Sequence, residues 1–101
     1  MQITVPVPMT ETHATRINID HHKHRRAYVL SCWQVEYTGD SEVIPLSSGR
    51  FFTLETTERK NPARLRQLAA RIETAKHAIA GAYVAKVDDD TIRAIIGAAL
   101  S

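Results

Sequence analysis

The chain has 101 residues, 44% apolar and 24% charged, and its 13 Lys+Arg against 11 Asp+Glu leave a formal net charge of +2. That size predicts one domain burying roughly two thirds of its unfolded surface, and that composition excludes a disordered chain as the default. The charge balance is too mild to imply a polyanionic partner by itself. A single cysteine, Cys32, excludes an internal disulfide and a cysteine-rich zinc cluster, and it fits a reducing compartment. The longest apolar run, Ala78 to Ala85, is too short to span a bilayer. The stretch from Met1 to Met9 carries Pro6 and Pro8 and no basic residue, unlike a secretory signal. A cytoplasmic protein with no membrane partner is therefore expected.

Residues 1–11 place Ile3, Val5 and Val7 in alternation, interrupted by two prolines that cannot donate to a ladder. An extended N-terminal arm or a sheet edge is expected, with a strand lent to a partner's sheet as the alternative. Residues 12–101 are expected to form a single α+β domain. Over 12–20, His13, Thr15, Ile17 and Ile19 point one way and Arg16 and Asn18 the other, as in a half-buried strand. The segment Asp20-His21-His22-Lys23-His24-Arg25-Arg26 is polar throughout and reads as a hairpin tip. Ala27 to Tyr37 follows as a strong strand. Val29, Trp33, Val35 and Tyr37 share one of its faces; Tyr28, Leu30, Cys32, Gln34 and Glu36 share the other. The second set runs from apolar to charged, so the strand is expected to start covered on both faces and to end with one wet.

Thr38 to Ser41 reads as a turn, Glu42 to Leu46 as a short strand, and Ser47-Ser48-Gly49 as another turn. Pro45 places the short strand at an edge or bulge. Arg50 to Thr57 closes the series, with Phe52 and Leu54 inward. Asn61-Pro62 then starts a helix: Asn caps free backbone N–H groups, and proline suits the first helical position. Leu65, Leu68, Ala69, Ile72, Ala75, Ile79 and Tyr83 recur at steps of three and four, one stripe on a helix of about six to seven turns. Asp88-Asp89-Asp90-Thr91 offers caps and negative charge to a short last helix with its stripe on Ile92, Ile95, Ile96, Ala99 and Leu100. The order predicts an antiparallel four-stranded β-meander, a long helix packed on one face, and a short C-terminal helix.

In the second half of the long helix Ala78, Ala80, Gly81, Ala82, Val84 and Ala85 are small or apolar around the whole circumference. Packing against the last helix is the first expectation there, and a homodimer through this patch is the alternative.

The chemistry that remains is sparse. His21, His22 and His24, with Asp20 and His13, are potential metal ligands, but Lys23, Arg25 and Arg26 repel a cation, so a solvated tip is expected and no metal site. Cys32 sits mid-strand beside Trp33, as an inert buried thiol does. No phosphate loop, nucleophile elbow, His-Glu-x-x-His or paired-carboxylate spacing is present, and no enzyme activity or cofactor is expected. Positive charge is the stronger signal: Lys23, Arg25 and Arg26 at the tip, then Arg50, Arg59, Lys60, Arg64, Arg66 and Arg71. Lys60, Arg64, Gln67 and Arg71 line a helical stripe beside the apolar one, the row a phosphate backbone needs and equally the flank of any solvated helix.

A non-catalytic binding module is the expectation, an inhibitor or adaptor of the kind mobile elements encode, acting on another protein. Its contacts are expected at Lys23, Arg25, Arg26, Tyr28, Arg50, Lys60, Arg64 and Arg71, since arginine and aromatic anchors dominate interfaces. The alternative is a nucleic-acid-binding protein using the same cations.

Overall fold

The computed structural model of the chain describes residues 3–37, 43–45 and 51–101. Strands β1 (Ile3–Pro8), β2 (His13–His22), β3 (Ala27–Tyr37), β4 (Val43–Pro45) and β5 (Phe51–Thr57) precede helices α1 (Pro62–Val84) and α2 (Asp89–Leu100). The result is the α+β arrangement expected: one antiparallel sheet, a long helix and a short last one. The expected turns at 38–41 and 47–49 lie outside the described residues.

The strands β1, β2 and β3 are successive antiparallel neighbours, and both β4 and β5 pair with β3. They share its second edge, β5 along Ala27–Trp33 and β4 along Val35–Tyr37. Together they make the fourth row of the meander. Pro45 opposes Val35 and Phe51 opposes Trp33.

Of the readings offered for residues 1–11, the described part is a sheet edge. Val5 and Val7 are buried on the side of β1 that α1 covers, which ties the segment down. The Met9 N–H donates to the His13 carbonyl at 3.1 Å, in register with the β1–β2 ladder. Odd-numbered residues of β1 therefore aim their main-chain groups at β2, and Thr4, Pro6 and Pro8 aim theirs outward. The prolines thus sit where the sheet needs no donor. They also remove two of three donors a partner's strand would use, so lending this edge to a partner's sheet, an alternative above, is disfavoured.

Paired residues share a face, and the rows Val5–Ile17–Cys32 and Ile3–Ile19–Leu30–Leu54 form the side that the helices cover. The α1 stripe buries Leu65, Leu68, Ile72, Ile79 and Tyr83 there, and α2 adds Ile92, Ile96 and Leu100. Tyr28 belongs to this covered face and is 1% exposed. Glu55 opposes Val29, on the other side of the sheet. Ala27 and Val29 are buried on that second face too, so both faces of the early β3 are covered.

Both helix starts are capped by the residues expected. Asn61 accepts from the Ala63 N–H at 3.0 Å with Pro62 in the first turn, and Asp88 accepts from the Thr91 N–H at 2.7 Å. The end of α1 closes with Val87 N–H on the Ala82 carbonyl and Lys86 N–H on that of Tyr83, with Lys86 at φ 57°. This two-bond closure requires a left-handed residue, which glycine supplies more cheaply than lysine. In the second half of α1 Ile79, Ala82 and Tyr83 are buried, whereas Ala78, Gly81, Val84 and Ala85 face solvent. Among the described residues no helix is long and apolar enough to cross a membrane.

Cys32 is fully buried, and burial pushes its thiol up from 9.0 to about 12, partly offset by the nearby Arg93 charge. Thiol reagents at pH 8 are expected to label native protein far more slowly than urea-unfolded protein. The unfolded thiol ionises from about pH 9 and the folded one only near 12, so folding stability falls as pH rises across that window. Equal labelling of native and unfolded chains would contradict this burial.

Candidate functional site

One end of the molecule gathers a cluster of cations. The β2–β3 turn spans residues 23–26, between the paired His22 and Ala27, and leaves Lys23, His24, Arg25 and Arg26 exposed. Arg26 holds φ 49°, a left-handed backbone that costs a side-chain-bearing residue roughly 1 kcal/mol. The Arg26 carbonyl accepts the Glu58 N–H at 2.9 Å, which extends the β3–β5 ladder by one pair. That bond carries the chain leaving the sheet past the turn, so exposed Arg59 and Lys60 stand beside it. Two residues later α1 begins, with no acidic residue in its first turn to offset the positive end of its dipole.

Beneath these cations lies a polar joint that locks sheet to helix. The Tyr28 hydroxyl donates to the Asn61 carbonyl at 2.7 Å and accepts from the Asn61 N–H at 2.6 Å. His21 meets the Tyr28 ring edge-on at 4.8 Å, and its Nε2 donates to the Glu58 carbonyl at 2.9 Å. Because a carbonyl only accepts, that nitrogen carries a proton. The Glu58 carboxylate takes the Arg64 Nε at 2.7 Å, and Arg64 also reaches Gln67 at 2.7 Å.

The expected contact residues divide accordingly. Lys23, Arg26 and Lys60 are exposed and have no charged partner among the described residues. Arg25 is exposed but pairs with Glu55. Arg64 is held by Glu58 and Gln67. Arg71 donates to the Leu100 carbonyl at 2.7 Å, satisfying the end of α2. Tyr28 as a surface anchor is corrected: its ring is core and its hydroxyl is spent on Asn61. Arg50 lies outside the described residues. The helical stripe is therefore not a free row of charge.

No family model, curated protein or solved structure matches the chain.

One exposed cation absent from the expected contact set belongs to this end, Arg59. Its charge is legible in the sequence; only the Glu58–Arg26 bond, between segments distant in sequence, shows that it joins the turn. Lys23, Arg25, Arg26, Arg59, Lys60 and Arg64 against Asp20, Glu55 and Glu58 give +3 here, on a chain whose total is +2. The rest of the chain is therefore net −1. Of the histidines, His21 is built into the joint while His22 and His24 are exposed. Among the described residues no group of three His, Cys, Asp or Glu could hold a metal ion.

Proposed function

We propose that the protein is a small binding module without catalytic chemistry, an inhibitor or adaptor that docks its basic end on an acidic surface of another protein. The observation that carries this reading is the convergence of the β2–β3 turn, the 58–60 loop and the start of α1, which concentrates +3 at one end. The left-handed Arg26 supports it: a cation stands where glycine would be less strained. A nucleic acid is the second reading, favoured by the same charge. It is the weaker one because the row that would track a phosphate backbone is used internally at Arg64 and Arg71. Tyr28 and Tyr83 are also buried, so neither offers a stacking surface for bases.

The test is capture from native host extract with and without nuclease, followed by titration of the purified partner. The double variant Arg59→Glu, Lys60→Glu is expected to weaken binding by roughly tenfold or more through like-charge repulsion. Stability should stay within about 0.5 kcal/mol, since both residues are exposed. Capture that disappears with nuclease, or affinity falling log-linearly with salt over several phosphate equivalents, would move the assignment to nucleic acid.

A further inference from the structure

We infer that the outer edge of β5 is a strand-pairing site for a second copy of this chain, joining two sheets across a two-fold axis at Leu54. The two edges of the sheet are unlike. On β1 the outward positions are Thr4, Pro6 and Pro8, so that edge is guarded. On β5 the Glu58 N–H bond to Arg26 sets the phase: even-numbered residues aim at β3. Phe51, Thr53, Glu55 and Thr57 therefore aim their N–H and C=O groups outward. None is proline, and among the described residues no backbone hydrogen bond reaches them. An edge left with a complete set of donors and acceptors is a template for another strand.

Self-pairing is favoured by register and charge. An antiparallel pair centred on Leu54 sets Phe51 opposite Thr57 of the second copy and Thr53 opposite its Glu55, using all four outward residues. A centre at Glu55 would use three and set two carboxylates face to face, which is destabilising. A centre at Thr53 also uses three. With the axis at Leu54, the two Leu54 side chains meet on the helix-covered face, where the half-buried Leu54 already packs against the core. Directly opposed residues that share no hydrogen bonds bring their side chains closest, so this apolar pair continues the core across the junction. The product is one continuous sheet with both helix pairs on the same side. The exposed small residues of α1, the alternative dimer surface offered by the sequence, carry no comparable directional groups.

Light scattering and sedimentation equilibrium on the full chain should give twice the 11.3 kDa monomer mass. Thr53→Pro removes one outward donor and leaves the β3 ladder intact, as Pro6 and Pro8 do on the other edge. It is expected to return the protein to monomer with its circular dichroism unchanged. Should that variant misfold, Thr53→Cys with Glu55→Cys on an otherwise native chain gives an independent reading, because buried Cys32 stays silent. Oxidation should link the two copies through residues 53 and 55. A wild-type monomer at every accessible concentration would overturn the inference. So would a dimer that resists Thr53→Pro and dissociates with Gly81→Leu, or a folded dimer whose engineered cysteines fail to cross-link.

Discussion

Leu68→Ala is expected to lower folding stability by about 3–5 kcal/mol, a large share of the roughly 5–15 kcal/mol typical of a domain. Leu68 is 0% exposed and sits on the α1 stripe between Leu65 and Ile72, so truncation removes buried methyl groups and leaves a cavity. The sheet beneath cannot collapse into it cheaply, because Ile17 and Leu30 are held in register by ladders on either side and Val5 by the ladder to β2. Urea titration would read the loss directly, with the neighbouring exposed Gln67→Ala as the control expected within about 0.5 kcal/mol. A loss under about 1 kcal/mol for Leu68→Ala would mean that α1 does not lie on the sheet as described.

Tyr28→Ala should cost a comparable 3–5 kcal/mol, and Tyr28→Phe about 1 kcal/mol. The pair separates two jobs of one side chain. The ring fills the end of the core beside His21, and the hydroxyl satisfies both main-chain groups of Asn61 where α1 begins. Asn61 is itself exposed, so water can replace part of the lost bonding, which places Tyr28→Phe at the low end. If Tyr28 were a partner contact instead, Tyr28→Phe would change affinity and leave stability alone. The structure predicts the reverse, and paired melting and binding measurements distinguish the two.

Much of this architecture is written in local pattern. The stripe from Leu65 to Tyr83 and the Asn61 and Asp88 caps follow from helical geometry within a few residues, so they could be read without any tertiary contact. The polar run at 20–26 likewise marks the turn between two strands. Failures occurred where two local readings were equivalent. Alternation along Ala27–Tyr37 separates Tyr28 from Val29, yet both faces carry apolar residues, and nothing local says which one a helix will cover. The arginines of α1 are similar: Arg64 and Arg71 look free on a helical wheel, and only packing brings Glu58 and the Leu100 carbonyl to them.

Residues 3–8 show how one local feature takes its meaning from a neighbouring strand. Pro6 and Pro8 do break a ladder on one side, which favours a loose arm when the chain is considered alone. Beside β2, the phase of the pairing turns both prolines outward, where they cost no bond and shield the edge.

By itself the sequence determined the elements, their order and their buried stripes, because periodicity and capping act over one or two turns of chain. Tertiary structure decided which sheet face became core, which cations were left in water, and which edge stayed open. Those outcomes depend on pairing between segments some thirty residues apart, such as Arg26 with Glu58 and Arg71 with Leu100, and no local pattern encodes them.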